Sequence, residues 1–210
     1  MTTTTDKAVI ESGFLARRNA PRLAAIAISA VASVSAVQSG AAQSAFDQSF
    51  SLQGVTFRVQ CDNSGSENAL IVTPDGLELD NSPVTAQIDG TVTGAEIADL
   101  NADGSPEIYV YVTSAGSGSY GSLAAWAANS KNSLSPIYLP DIADDPKFGS
   151  GYIGHDEFAI IELYFARHFP IYREGDTNAE PTGGTRQVLY KLEPGEASWQ
   201  LVAQRDYLFD

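Results

Sequence analysis

The sequence predicts an all-β domain: an antiparallel β-sandwich, with a flattened barrel as the alternative. Three observations favour this class. Short runs rich in β-branched and aromatic residues recur along the chain, turn residues separate them, and helical periodicity is nearly absent. No repeat of fixed period is visible, so a fold built from several copies of one unit is not expected.

Residues 1–45 are predicted to be a disordered or cleaved export leader rather than part of the fold. Three arginines between positions 17 and 22 precede an apolar stretch at 23–37, and small residues follow at 39–42. This order is typical of a secretory signal peptide. The apolar stretch is short for a membrane span, which needs about 20 residues, and a retained anchor is the alternative. We expect cleavage between about Gly40 and Ala45 and no membrane attachment afterwards.

Residues 46–210 form the predicted single folded domain, which is long enough to bury a sizeable core. Four of the 12 basic and two of the 26 acidic residues lie in the leader, so the domain has 8 basic and 24 acidic residues, a net charge of about −16. Such a field repels nucleic acid and anionic membranes and attracts cationic partners. Simple solubility would also explain it.

Cysteine and histidine are too few for a disulfide framework or a zinc site. Cys61 is the only cysteine, so no internal disulfide can form, and we expect a buried, inert thiol. The only histidines are His155 and His168. Zinc sites of the usual type need clusters of these residues, and we assign no metal and no cofactor to the chain.

The first predicted strands alternate apolar and polar residues. Residues 50–59 alternate on either side of Gly54, whose position predicts a bulge. Residues 69–73 form a short strand that the turn at 74–76, Pro-Asp-Gly, closes. Residues 85–93 alternate loosely around an Asp-Gly pair, and Ile108 to Thr113 is the clearest strand of all.

The later elements are less uniform. The alanines of 123–129 permit a helical turn. Residues 158–165 are long and apolar, which predicts a central strand buried on both faces. Residues 187–192 and 198–202 flank Glu-Pro-Gly-Glu, whose Pro-Gly pair suits a type II turn and predicts a hairpin.

A loop of small residues follows the clearest strand and carries one large side chain, Tyr120. Gly116, Gly118 and Gly121 let the backbone bend sharply. The serines between them supply hydroxyls that both donate and accept hydrogen bonds. We expect a slim, projecting loop that can enter a cleft on another molecule, where a tyrosine brings contact area at low entropy cost. A flexible surface turn is the alternative.

The same glycines match the dinucleotide-binding fingerprint, Gly-x-Gly-x-x-Gly, with Asp141 twenty residues beyond the last of them. That motif requires a βαβ unit in a doubly wound sheet. The later part of the chain predicts hairpins instead of alternating strands and helices. We therefore reject dinucleotide binding.

Residues 99–107 read Asp-x-Asn-x-Asp-Gly-x-x-Glu, and oxygen ligands that alternate before a Gly turn are typical of calcium loops. An EF-hand is excluded because its twelfth position is Val110 instead of Glu. Calcium-binding propeller repeats need several copies, and only one is present. An Asx-rich turn is the favoured interpretation, and a calcium-dependent carbohydrate- or protein-binding module is the alternative function.

Hydrolytic chemistry is the third possibility. No Gly-x-Ser-x-Gly motif occurs. His155 and Asp156 could join a serine in a triad, but adjacent residues on a strand point to opposite faces, which makes an orienting bond between them awkward. A glycosidase that uses two carboxylates stays open, because spacing in sequence says nothing about spacing in space.

Residues 117–120 have the form Ser-Gly-x-Tyr, and further segments stand in order around them. These segments are Asp99 to Glu107, Gly151 to Phe158, Arg167 to Tyr172, Asp176 to Asn178 and Pro181 to Arg186. Together they resemble the periplasmic inhibitors of invertebrate-type (I-type) lysozyme of Gram-negative bacteria. The resemblance spans about Phe50 to Leu201, and the ordered series is far more specific than the four-residue element. The chain departs from the pattern mainly in the leader and at 141–147.

The resemblance implies an exported, periplasmic, non-enzymatic β-sandwich, often a homodimer, that inserts its Ser-Gly-x-Tyr loop into the active-site cleft of a lysozyme. Ser117 and Tyr120 would be the inserted side chains, and their hydroxyls could bond catalytic carboxyl groups. A second Gly-flanked loop with a tyrosine and a histidine is predicted to add contacts. The predicted partner-binding residues are Ser117, Gly118, Ser119, Tyr120, Tyr152, Gly154 and His155.

Overall fold

The computed structural model describes residues 44–210, so the predicted leader and its cleavage zone lie outside the described residues except for the last two positions. The described chain is built of β-strands and one short 3₁₀ turn. Within it, no helix is long and apolar enough to cross a membrane. The predicted all-β class is confirmed.

The first sheet contains the N-terminal strands, each paired antiparallel with the next. They are β1 (Phe46–Leu52), β2 (Val55–Cys61), β3 (Glu67–Asp75) and β4 (Val84–Asp89). Alternate residues of β2 are fully buried, which gives this sheet one core face.

Gly54 lies in a hairpin turn, so the predicted bulge is wrong. Leu52 of β1 pairs directly with Val55 of β2, and Gln53 and Gly54 between them have φ values of +53° and +87°. Two residues with positive φ match the right-handed twist of the flanking strands. The predicted strand at 69–73 is longer at both ends in the structure.

The second sheet closes almost completely on itself. Its strands are β5 (Thr91–Ala98), β6 (Glu107–Thr113), β7 (Gly121–Asn129), β8 (Ser133–Tyr138), β9 (Glu157–Ile161), β10 (Tyr164–Pro170), β11 (Thr185–Pro194) and β12 (Trp199–Phe209). The order is β5-β6-β7-β8-β12-β11-β10-β9, and only β8 and β12 pair in parallel. The backbone N–H of Ile160 in β9 donates to the Glu96 carboxylate of β5, 3.3 Å, and this bond links the two edge strands of the sheet.

The strand β6 is buried on both faces and belongs to two cores. Ile108 and Val112 pack among the buried side chains of the first sheet, together with Cys61. Tyr109 and Tyr111 point to the opposite face and fill the inside of the barrel-like sheet. The structure thus combines the predicted sandwich with the predicted barrel, and the expectation of a buried Cys61 thiol is confirmed.

Two predicted elements are wrong. Residues 123–129 belong to β7, whose seven register pairs with β6 place small alanines in the tightly packed centre of the sheet. This packing overrides helix propensity. Residues 158–165 do not form one strand, because the chain reverses at Glu162, with φ +55°, and splits into β9 and β10. The predicted hairpin is confirmed as β11 and β12, but the predicted type II turn is wrong. Pro194 still pairs with Trp199, and Gly195 is not among the glycines with positive φ.

Candidate functional site

The Ser-Gly-x-Tyr loop comprises residues 114–120 and connects β6 to β7. Its base is closed by two bonds: the Ser114 N–H donates to the Tyr120 carbonyl, 2.9 Å, and the Tyr120 N–H donates to Ser114 Oγ, 3.0 Å. Inside the loop, the N–H of Ser119 donates to the Gly116 carbonyl, 3.0 Å. Because it joins two antiparallel strands, the glycine motif lacks the helix that a dinucleotide fingerprint requires.

A second loop braces the first through its backbone. The N–H of His155 donates to the Gly118 carbonyl, 2.8 Å. Gly154 is buried with φ +92°, and a Cβ there would collide with that same carbonyl oxygen. Only glycine meets both conditions. Gly154 and His155 therefore lie directly beside the Ser-Gly-x-Tyr loop, and their predicted contact with a partner stays a prediction.

Asn178 braces the loop from another side. Its Nδ2 donates to the Ser117 carbonyl, 2.7 Å, and its Oδ1 lies 3.1 Å from His155 Nε2. Because an amide oxygen can only accept, His155 carries the proton on Nε2. The Asn178 carbonyl in turn accepts from the Tyr172 hydroxyl, 2.9 Å. Sequence analysis assigned Asn178 no role of its own, and its place in the ordered series of segments was the only sign of one.

The segment that carries Asn178 is shaped by Asp176. This carboxylate accepts bonds from the N–H groups of Arg173, 2.7 Å, and Thr182, 2.9 Å, and from the Thr182 hydroxyl. The two backbone bonds hold the pKa of Asp176 below its usual range. A loop without regular structure is thereby fixed where it meets the Ser-Gly-x-Tyr loop.

Tyr120 is presented at the surface by its neighbours. Its side chain stays 47% exposed, and its ring meets the Tyr152 ring edge-on with centroids 5.9 Å apart. A Cβ at Gly118 would lie 2.5 Å from Tyr120 Cε2, so the ring also lies close over the loop backbone. Among residues 44–210, no hydrogen bond uses the Tyr120 hydroxyl or the exposed Ser117 hydroxyl, and both can serve a partner.

A buried polar network supports this surface from below. Arg167 Nε donates to Asp156 Oδ1, 2.6 Å, and both side chains are almost fully buried, with 4% and 0% exposed. Tyr152 accepts from Arg167 Nη2, 2.8 Å, and donates to Asp156 Oδ2, 2.7 Å. The N–H of Gly121 donates to the same oxygen, 2.7 Å. The first residue of β7 is thereby tied to β10.

The electrostatics of this network keep the Arg167 guanidinium charged. Burial alone would lower the pKa of Arg167, but the hydrogen bond and the charge of Asp156, together with Tyr152 and Tyr190, outweigh burial and the pKa is raised. Burial also raises the pKa of the Tyr152 hydroxyl. Asp156 is occupied by these partners while His155 faces Asn178, so the two residues do not orient each other as a catalytic triad requires.

An open groove of about 390 Å³ lies beside the loop, between Tyr120, Tyr152, Tyr138 and Asp141. Tyr138 is 62% exposed on its rim.

The seven predicted site residues share one region of the surface, although they differ in role. Ser117 and Tyr120 are exposed, whereas Gly154 is buried and Tyr152 spends its hydroxyl on the buried network. Their binding of a partner stays a prediction.

Comparison with known proteins gives one family. Residues 77–144 match the model described as periplasmic lysozyme inhibitor of I-type lysozyme. Searches of curated proteins and of solved structures each give no match. The matched segment contains β6 and the whole Ser-Gly-x-Tyr loop, and it is similar to the periplasmic inhibitors of I-type lysozyme, the family that the sequence resembles.

Proposed function

We propose that the protein is a periplasmic lysozyme inhibitor that acts on I-type lysozyme by inserting the Ser-Gly-x-Tyr loop into the active-site cleft. The observation that carries the proposal is the family match, which covers the loop itself. The family description and the composition of residues 1–45 support export to the periplasm. The homodimer that the resemblance implies stays a prediction.

The geometry of the loop suits this task. Its backbone is held at two consecutive carbonyls, that of Ser117 by Asn178 and that of Gly118 by His155, so little conformational freedom is lost when it binds. A retaining glycosidase holds two carboxyl groups about 5–5.5 Å apart in its cleft. The free hydroxyls of Ser117 and Tyr120 can donate to such groups and exclude the sugar.

Charge supports the same partner class. The domain carries 24 acidic and 8 basic residues, so a basic enzyme would be attracted and nucleic acid repelled. The protein acts by binding and not by turnover in this proposal. His155 and Asp156 were its candidate catalytic pair, and each is bonded to other residues.

The test is inhibition of peptidoglycan lysis by a purified I-type lysozyme. We expect Tyr120→Ala to weaken inhibition by about 2 kcal/mol or more, roughly thirtyfold, because an aromatic anchor is lost. Tyr120→Phe keeps the ring that packs on Tyr152 and removes only the hydroxyl, so it measures the contribution of the hydroxyl to inhibition. Leu79→Ala is the control, since Leu79 is 80% exposed and lies far from the loop. Its N–H donates to the carbonyl of Asn132, just beyond the opposite end of β7. Equal inhibition by wild type and Tyr120→Ala would remove Tyr120 from the interface.

The role of Ser117 has a pH signature. A hydroxyl that donates to a catalytic carboxylate binds best while that group is ionised. We expect Ser117→Ala to weaken inhibition by about 1.5–3 kcal/mol above the pKa of that lysozyme carboxylate and by less below it. The measurement is the inhibition constant of both proteins from about pH 4 to pH 8, at high salt to screen steering. Parallel curves would show that Ser117 does not touch the ionising group.

A further inference from the structure

A group of three carboxylates lies at the end of β6 that is remote from the Ser-Gly-x-Tyr loop. Asp99 and Asp103 belong to the turn between β5 and β6, and Glu107 is the first residue of β6. One carboxylate oxygen of each lies within 4.8 Å of the others. Asn101 is in the same turn and donates to Asp103 Oδ2, 3.0 Å.

Glu107 is the unusual member of this group. It is only 1% exposed, and its Oε2 accepts bonds from the N–H of Leu100, 2.8 Å, and the hydroxyl of Tyr109, 3.3 Å. Its Oε1 is buried and has no hydrogen-bond partner among the described residues. The ion pairs found in residues 44–210 all lie elsewhere. A buried carboxylate oxygen without a partner is costly and calls for a positive charge.

We propose that Asp99, Asp103 and Glu107 bind a calcium ion, with Asn101 as a further oxygen ligand. All of the candidate ligands are hard oxygen donors, which calcium and magnesium prefer. Two oxygens that both lie about 2.4 Å from one calcium ion can be at most about 4.8 Å apart, and the three carboxylates satisfy this limit. Magnesium requires shorter bonds of about 2.0–2.1 Å in a strict octahedron and usually keeps several waters, so a site supplied mostly by protein oxygens favours calcium.

The turn already holds its ligands in place. The N–H groups of Asp103 and Gly104 donate to the two oxygens of Asp99, both at 3.0 Å, and the N–H of Ser105 donates to Asp103 Oδ1, 2.8 Å. Sequence analysis favoured a plain Asx-rich turn on this pattern. The buried, unpartnered oxygen of Glu107 is the observation that such a turn does not explain.

The site would stabilise the domain and not touch the target. Glu107 is the first of the seven residues of β6, and the other six separate it from the Ser-Gly-x-Tyr loop, a distance of about 20 Å along a strand. Calcium is therefore expected to raise the melting temperature and to leave the loop-dependent contact unchanged. This differs from a binding module in which calcium itself holds the ligand.

The experiment is thermal unfolding of the purified domain with EDTA, with calcium and with magnesium. At free calcium about 100-fold above its Kd, we expect the melting temperature to rise by about 5–10 °C over the EDTA sample. The titration extends to about 10 mM, which is about 10- to 100-fold above the Kd values of about 0.1–1 mM of many extracellular calcium sites, and at tenfold excess the expected rise is about half as large. Magnesium is expected to give a clearly smaller rise. No rise with calcium overturns the proposal, and an equal rise with both ions overturns the choice of calcium.

Two variants separate ligation from general charge effects. Asp103 is exposed, so Asp103→Asn should fold, and we expect this variant to lose most of the calcium response. Asp62 is another exposed carboxylate, and Asp62→Asn should keep the full calcium response. Glu107→Gln replaces the buried carboxylate by an amide of the same shape and should not respond to calcium. A full calcium response in Asp103→Asn and Glu107→Gln would show that the ion binds elsewhere.

Discussion

Replacing Asp156 by alanine is expected to lower the free energy of unfolding by about 3–5 kcal/mol, the largest effect on stability that we predict. The Arg167 side chain, 4% exposed, would keep its charge and lose the carboxylate with which it forms an ion pair. The hydroxyl of Tyr152 and the N–H of Gly121 would each lose an acceptor as well. The loss therefore exceeds that of a surface ion pair, which contributes about 0–1 kcal/mol.

The measurement is urea unfolding of wild type, Asp156→Ala and a neighbouring control. Glu157→Ala is matched in chain position and side-chain type, but Glu157 is exposed. We expect the midpoint of Glu157→Ala to stay near wild type and that of Asp156→Ala to fall sharply. Coincident midpoints for the two variants would mean that the buried network does not stabilise the domain.

Gly154→Ala is expected to abolish most of the inhibition, with a larger effect than the roughly thirtyfold loss for a single anchor. The added Cβ would collide with the Gly118 carbonyl oxygen and lie 3.3 Å from Tyr120 Cδ1, so the whole loop must move. The residue would also keep an unfavourable positive φ of +92°, a strain of about 1–3 kcal/mol. Both Ser117 and Tyr120 would then be misplaced at once.

Gly54→Ala is the matched control for this variant. Gly54 has nearly the same φ, +87°, but a Cβ there meets nothing within 4 Å. Both variants share the backbone strain, and only Gly154→Ala displaces the loop. The comparison needs inhibition constants together with melting curves, to show that each variant is folded. Equal inhibition by the two would disprove the bracing role of Gly154.

Local sequence patterns were sufficient to predict elements whose conformation is determined by their own residues. The run from Ile108 to Thr113 is rich in β-branched and aromatic residues, and it forms most of β6. The Pro-Gly pair at 194–195 predicts a chain reversal, and the hairpin of β11 and β12 reverses at residues 195–198, directly after Pro194. In both places the determining residues are neighbours in the chain.

Local patterns failed where distant packing decides. The alanines of 123–129 allow helix or strand, and pairing with β6 selects the strand. The apolar run at 158–165 looks continuous, but β10 must return beside β9 to complete the sheet, which forces the reversal at Glu162. Gly54 could serve a bulge or a turn, and the register of β1 on β2 selects the turn.

By itself the sequence determined the all-β class, the composition of the Ser-Gly-x-Tyr loop and the family resemblance, because each depends on residue types in a fixed order. Only the tertiary structure decided how the loop is held and how deeply Glu107 is buried. Asn178 reaches the Ser117 carbonyl across 61 residues of chain, and Gly121 reaches Asp156 across 35. Such contacts depend on how the barrel-like sheet closes, and separation along the chain does not encode distance in the folded domain.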